Sequence, residues 1–371
     1  MKSPGLNFRA KLIISAFLRN VSHMPRLHTA NFSGFKVKQE HLALLFQSNS
    51  LHHLTLSRCG LPISVRLPPS PIRHLTLSLR DNCKHVEPLL GHCSTNLETL
   101  DFIGNLSQLQ GSTTLPLFPK LRILKFDETI GSISHLDTLI SLAPLLEHLE
   151  VYGRRDSLSR LSSLPASLNC LGINRWAIGD GDFGTRRFAQ LPHLHITHFH
   201  DGPGDRRGWV IPIIQRIFPN LTSLDLDIQW EFRNLALLLA RHLPKVTRLK
   251  LSIPWSTVYD LDIGPYLPYF AAPGGPLASL DVNVGYADKS NIETYKRWVI
   301  QTVLGPDLRL GGPYLQEVKM VLGNSRRPVV LQTSGKGGCL HSIQGNEECM
   351  FWVYSHGQFY EGPYVGDRDF R

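Results

Sequence analysis

An α/β solenoid of short strand–turn–helix repeats is the fold class this sequence predicts, and three observations predict it. The first is the stretch Phe218-Pro219-Asn220-Leu221-Thr222-Ser223-Leu224-Asp225-Leu226-Asp227, in which a proline precedes leucines at relative positions 0, 3 and 5, with polar residues between them. The second is recurrence. About twelve such stretches occur, with first apolar anchors at Leu27, Leu51, Ile72, Leu97, Leu121, Leu146, Leu168, Leu194, Leu221, Val246, Leu277 and Leu315. The third is spacing. Successive anchors stand 24, 21, 25, 24, 25, 22, 26, 27, 25, 31 and 38 residues apart. Nine of these intervals fall in the roughly 20–29 that marks leucine-rich repeats, and the last two carry insertions. The prediction is a leucine-rich-repeat solenoid of about 12 irregular repeats, with a parallel concave sheet and convex helices.

Each repeat justifies its own strand. His74-Leu75-Thr76-Leu77, Glu98-Thr99-Leu100-Asp101-Phe102, Arg122-Ile123-Leu124-Lys125-Phe126 and Glu147-His148-Leu149-Glu150-Val151 alternate apolar and polar residues. A period of two sends alternate side chains to opposite faces of a sheet. Proline stands just before the strand at Pro25, Pro71, Pro119, Pro192, Pro219, Pro244 and Pro313. It cannot continue a helix and suits the turn into a strand.

Helical spacing fills the gaps. Leu42, Leu45 and Phe46 share one face, as do Val86, Leu89 and Leu90 in the next segment. The pattern returns at Ile133, Leu136, Leu139 and Ile140, at Val210, Ile213, Ile214 and Ile217, and at Phe232, Leu235, Leu238 and Leu239. It closes at Ile292, Tyr295 and Val299. All keep i, i+3, i+4 or i+7 spacing. Pro212 fits the first turn of its helix, where a missing N–H is no loss.

A single unit cannot bury its apolar face, so the stack needs neighbours and capped ends. Residues 1–23 read as an N-terminal cap, 24–322 as the solenoid and 323–371 as a C-terminal cap or tail. Within the tail, Phe351-Trp352-Val353-Tyr354 and Phe359-Tyr360 suggest a packed hairpin. Residues 175–187 and 254–276 read as loops projecting from the rim.

The bulk numbers exclude several classes. Of 371 residues, 42% are apolar and 19% charged, which is the balance of a folded chain. No apolar run reaches the ~18 residues of a membrane span. Residues 12–18 are apolar and follow Arg9 and Lys11, but Arg19-Asn20 stand where a signal peptide needs small residues, so a capping helix is expected. Cys59, Cys83, Cys93, Cys170, Cys339 and Cys349 form no CxxC pair and read as reduced thiols, which places the chain in the cytoplasm or nucleus. The net charge of +9 is uneven, since residues 1–50 carry +6 and the other 321 residues carry +3. A basic end can attract nucleic acid or acidic proteins, so nucleic-acid binding through the N-terminus is a rival reading, ranked below a protein partner.

The repeats resemble those of F-box/leucine-rich-repeat proteins, most closely the fungal ones. The resemblance rests on the Pro-x-Leu-x-x-Leu-x-Leu cadence, as in Pro119-Lys120-Leu121-Arg122-Ile123-Leu124-Lys125-Phe126, over about residues 24–322. It implies a substrate-recruiting subunit of a ubiquitin ligase. Two departures are visible. The ladder Asn or Cys eight residues after the anchor occurs only as Cys59 and Asn105, and no F-box-like segment opening Leu-Pro-x-Glu precedes Leu27. A ligase adaptor is therefore a partner only if an F-box lies upstream.

Chemistry is sparse. His193, His195, His198 and His200 cluster, and alternation puts His198 and His200 on one side of a strand, as two metal ligands require. Solvent-facing side chains explain them equally well, and no metal is expected. Cys83, His85, His92 and Cys93 lack a zinc spacing. No GxSxG, P-loop or HExxH occurs, and the Gly-rich run 334–338 has no strand-to-helix context. The expectation is a non-enzymatic protein with no cofactor and no membrane partner.

What remains is the concave face, read at positions four and six after each anchor. The early repeats give Thr55, Ser57, Thr76 and Ser78. The later ones give the candidate protein-binding residues Asp101, Lys125, Asp127, Glu150, Tyr152, His198, His200, Asp225, Asp227, Lys250 and Asp281. Solenoids tend to bind through this face. Tyr152 is the expected aromatic anchor, and the three aspartates Asp225, Asp227 and Asp281 are expected to favour a basic segment of the partner.

Overall fold

Alternation in the sequence becomes alternation of burial in the computed structural model. The structure describes residues 16–34, 36–62, 67, 70–78, 86–104, 115–127, 134–152, 164–174, 188–200, 210–230, 243–253, 277–284, 317–322, 329–333, 339–344, 347–355 and 358–362. The helices expected around 232–239 and 292–299, the rim loops 175–187 and 254–276, and Asn105 lie outside these residues. The chain forms two compact units, Met1–Asp182 and Phe183–Arg371.

In the first unit seven strands follow one another: β1 (Thr29–Ser33), β2 (His53–Ser57), β3 (His74–Ser78), β4 (Thr99–Ile103), β5 (Ile123–Asp127), β6 (His148–Tyr152) and β7 (Cys170–Asn174). Each pairs parallel with the next, without a change of order. Helices α1 (Gln39–Phe46), α2 (Val86–Cys93) and α3 (Ser134–Ser141) lie between strands, where 3.6-residue spacing places them. Parallel neighbours need a crossover, and a helix supplies it.

The apolar grammar of the repeat is the core. Counting from the anchor as position 0, positions 0, 3 and 5 of the repeats from Leu51 to Leu168 are all buried. Leu51, Leu54 and Leu56 form one such set, and Leu121, Leu124 and Phe126 form another. Helix residues Leu42, Leu45, Phe46, Leu89, Leu90, Leu136 and Leu139 complete the buried layer. Each buried Leu or Phe contributes roughly 1.5–3 kcal/mol relative to exposure. Phe102 and Phe126 stack across β4 and β5 at 5.9 Å between centroids. At the N-terminal end residues 16–20 are helical, a 3-10 turn spans Val21–His23, and Leu18 and Val21 are buried.

In the second unit β8 (His193–His200), β9 (Ser223–Trp230), β10 (Arg248–Ile253), β11 (Ser279–Val284) and β12 (Glu317–Leu322) again pair parallel in order. Helix α4 (Val210–Ile217) lies between β8 and β9 and buries Ile211, Ile214 and Ile217. From β12 the pairing turns antiparallel through β13 (Val329–Thr333), β14 (Cys339–Gln344), β15 (Glu347–Ser355) and β16 (Gln358–Gly362). The expected aromatic hairpin is β15–β16, with Tyr354 opposite Phe359 and Val353 opposite Tyr360. The strands β13 and β14 were not foreseen.

One anchor moves. Leu194 pairs with Leu224 and His195 with Asp225, so Leu194 occupies position 3 of its repeat and the anchor is Leu191. The backbone agrees. The carbonyl of the residue after the anchor accepts two N–H groups from the next repeat at His28, His52, Arg73, Glu98, Arg122, Glu147, Thr222 and Thr247, and Pro192 accepts them from Thr222 and Ser223. Consequently His195 and Thr197, not His198 and His200, are the counterparts of Asp225 and Asp227. Strand β8 continues to His200, but its register against β9 shifts after Ile196.

Among the described residues a polar ladder runs at the residue before the anchor. Ser50 Oγ donates to the carbonyls of Met24 and Leu27, at 3.3 and 3.1 Å. Asn96 Nδ2 donates to Ser70 O at 2.9 Å, and Ser167 Oγ to Leu146 O at 2.7 Å. Asn220 Nδ2 donates to Ala189 O at 3.0 Å. Where the same position is lysine, Lys120 and Lys245 donate to the asparagine of the preceding repeat. Cys59 does keep the expected role, with its thiol against Phe32 O at 3.5 Å.

Candidate functional site

The strand positions that do not enter the core form the outward face of the sheet. They are positions 2, 4 and 6, one more column than the two read from sequence. In the first unit position 2 holds Thr29, His53, His74, Thr99, Ile123, His148 and Cys170. Position 4 holds Asn31, Thr55, Thr76, Asp101, Lys125, Glu150 and Gly172, and position 6 holds Ser33, Ser57, Ser78, Ile103, Asp127, Tyr152 and Asn174. Register locks each column, because Asp101, Lys125 and Glu150 are successive partners.

This face has two textures. Strands β1 to β3 present hydroxyls and imidazoles, with the His53 and His74 rings stacked at 4.1 Å and nearly parallel. Burial, with His53 alongside, holds His74 below the ordinary histidine range. Strands β4 to β7 present charge around a single carboxylate. Glu150 is only 8% exposed and lies at the centre of three partners. Its Oε1 meets Lys125 Nζ at 2.9 Å and His148 Nε2 at 2.8 Å, and its Oε2 accepts from the Tyr152 hydroxyl at 2.8 Å.

The electrostatics follow from that arrangement. Burial pushes the Glu150 carboxyl up, but His148, Lys125 and Tyr152 together outweigh it and hold it at about 2. His148 is raised to about 9 by hydrogen bonds to the Cys170 thiol and to Glu150, against the opposing effect of burial. Burial raises Asp101, with Lys125 acting in the other direction, and burial also raises Asp127. Gly172 is what lets Glu150 lean toward β7, because a Cβ there would stand 2.7 Å from Glu150 Cγ.

The second unit alternates charge down its column. Position 4 holds His195, Asp225, Lys250, Asp281 and Lys319, locked as successive register partners. Position 6 holds Thr197, Asp227, Ser252, Asn283 and Val321. His193 Nε2 stands 3.3 Å from Asp225 Oδ2, and His195 Nε2 stands 3.5 Å from Asp227 Oδ2. Asp227 lies below the ordinary carboxylate range, because His195, Ser252 and Lys250 outweigh its burial.

Of the residues expected on this face, Asp101, Lys125, Asp127, Glu150 and Tyr152 gather in one patch of the first unit, and Asp225, Asp227, Lys250 and Asp281 gather in the second. Within the first patch Lys125, Glu150 and Tyr152 satisfy one another. The position-2 column, with His148 and Cys170, was missed because leucine periodicity marks only the buried positions. Among the described residues no group of three or more His, Cys, Asp or Glu is placed to hold a metal. The side chains of His198 and His200 lie outside those described. Among the described residues no helix is long and apolar enough to cross a membrane.

Repeats, parallel register and a one-sided core together define a leucine-rich-repeat solenoid. No family model and no curated protein matches the chain. Among solved structures it is similar to the leucine-rich repeat-containing protein LegL7 from Legionella pneumophila, at 14% identity. That likeness covers 77% of this chain and 79% of the other, with a TM-score of 0.40. It bears on neither partner nor site.

Proposed function

We propose that this protein is a non-enzymatic recognition scaffold that binds another protein through the outward face of its parallel sheet. One observation carries the reading. Positions 3 and 5 of the strands are buried while positions 2, 4 and 6 face outward, so the repeat presents a register-locked panel of mostly polar side chains. Extended faces of this kind are what solenoids use for binding. The charges alternate in sign along position 4, so the complementary partner carries mixed charge at the ~4.8 Å strand spacing. A purely basic segment fits less well than the aspartates alone suggested. The finer reading, a substrate-recruiting subunit of a ubiquitin ligase, rests on the Pro-x-Leu cadence and its resemblance to F-box/leucine-rich-repeat proteins. A free-standing interaction protein shares every feature of the face and differs only in lacking the ligase adaptor.

The test is quantitative affinity capture with three forms of the full chain: wild type, Asp225→Lys with Asp227→Lys, and Glu40→Lys on α1 as a control off the face. A bona fide partner is retained by the control and depleted about tenfold by the double reversal, equivalent to ~1.4 kcal/mol. Equal recovery from all three forms contradicts binding through this face. Co-recovery of a ligase adaptor supports the finer reading, and a partner recovered without one favours the free-standing protein.

A further inference from the structure

Register brings together three side chains that the sequence separates. His148 and Cys170 are 22 residues apart in the chain but are direct partners at position 2 of β6 and β7. The Cys170 thiol hydrogen bonds to the His148 ring. His148 Nε2 is in turn held by Glu150 Oε1 at 2.8 Å, and Glu150 is itself fixed by Lys125 and Tyr152. A thiol beside an imidazole that a carboxylate orients is the general arrangement of an activated sulfur nucleophile. We propose that Cys170 is a hydroperoxide-reactive nucleophile, poised by His148 and Glu150 on the outward face of the first unit.

The chain provides its own contrast. Cys59 and Cys93 likewise form no disulfide but are buried in the core. Burial pushes the Cys93 thiol up to about 12, with Ser70 only partly opposing it. Cys170 is partly exposed. An adjacent imidazolium favours the thiolate, which is the reactive form. His148 is held protonated well above the ordinary histidine range by this same pair of neighbours. Among the described residues of the first unit, the other charged groups this face sets on the neighbouring strands are Lys125 and Asp127 on β5 and Asp101 on β4, while β5 meets His148 itself with Ile123.

The step balances without another reagent. The Cys170 thiolate attacks one oxygen of the hydroperoxide, an S–O bond forms and the O–O bond breaks. With hydrogen peroxide the departing hydroxide takes the proton of the His148 imidazolium and leaves as water. Sulfur is oxidised to a sulfenic acid and the peroxide is reduced. His148 then loses its anionic partner at Cys170, so the charge pattern of the Glu150 patch changes. The site is thus a modification site on the recognition face, whatever protein that face binds.

The experiment uses the intact folded chain, alkylated with iodoacetamide over a pH series and mapped by peptide. At pH 6.5 Cys170 is expected to react about tenfold faster than in the urea-unfolded chain, with an inflection below the ordinary thiol value of about 8.5. His148→Gln should lower that rate about tenfold and return the inflection to the ordinary range, and Glu150→Gln should move it the same way by less. Hydrogen peroxide followed by dimedone should label Cys170 and leave Cys59 and Cys93 unlabelled. An ordinary or raised inflection in the wild-type chain overturns the proposal, and this readout needs no variant to fold. A profile unchanged in a natively folded His148→Gln, or no dimedone label at Cys170, overturns it too.

Discussion

Truncation of Phe126 to alanine is expected to destabilise the first unit by about 3–5 kcal/mol, the range for emptying a buried aromatic site. Phe126 sits at position 5 of β5 with no exposed surface. Its ring stacks on Phe102, and its register partners are Phe102 on β4 and Val151 on β6. The void cannot close easily. The flanking strands are fixed by backbone ladders, and each repeat touches only its neighbours, so no distant side chain can fill the gap. Urea denaturation followed by circular dichroism measures the loss as a lower midpoint at constant slope. A fall in slope as well would mean that the unit no longer unfolds as one piece. A cost below ~1 kcal/mol would place Phe126 outside the core and refute the inward assignment.

Replacing Glu150 with alanine is the second large effect, at about 1–3 kcal/mol. The carboxylate is buried, and three groups lose their partner when it goes. The cost stays below that of a fully buried ion pair because Lys125 and His148 remain partly exposed, at 41% and 31%, and can turn to water. The pH dependence is specific. Folding holds His148 above its ordinary 6.5, at about 9, so its contribution is complete below 6.5 and is lost as pH rises through 9. Folding holds Glu150 below its ordinary 4.5, at about 2, so its contribution is complete above 4.5 and is lost as pH falls toward 2. The stability difference between wild type and Glu150→Ala should therefore be largest between pH 4.5 and 6.5 and shrink on both sides. A difference independent of pH from 3 to 9 would show that the network carries no net charge coupling.

Much of the fold was legible because burial repeats. Leucine at positions 0, 3 and 5 reports the core directly, and α1 to α4 fall where their apolar spacing predicts. The misplaced anchor has a local cause. In the repeat at Leu191 the proline follows the anchor instead of preceding it by two residues, so the Pro-x-Leu cadence lands on Leu194, which is position 3. The polar ladder at Ser50, Asn96, Ser167 and Asn220 was overlooked because its residue type varies: the serines reach the preceding anchor's carbonyl, and the longer asparagines reach a carbonyl two residues before it. The face was legible as a set of positions but not as a network. Glu150 reads as a free carboxylate until β5 and β6 set Lys125 and His148 beside it. The His148–Cys170 contact depends on strand register alone, and no local pattern announces it. Antiparallel β13 and β14 escaped for a related reason, since short mixed strands without a leucine cadence carry little periodicity.

The claim on which the rest depends is that each strand divides its side chains between a core and a displayed face. Alanine substitution along β9, one residue at a time through Leu224, Asp225, Leu226 and Asp227, tests it most directly by urea denaturation. The account predicts alternation: about 2–5 kcal/mol lost at Leu224 and Leu226, which are buried, and less than ~1 kcal/mol at the two aspartates. Losses that are uniform along the strand, or larger at Asp225 and Asp227 than at the leucines, contradict it.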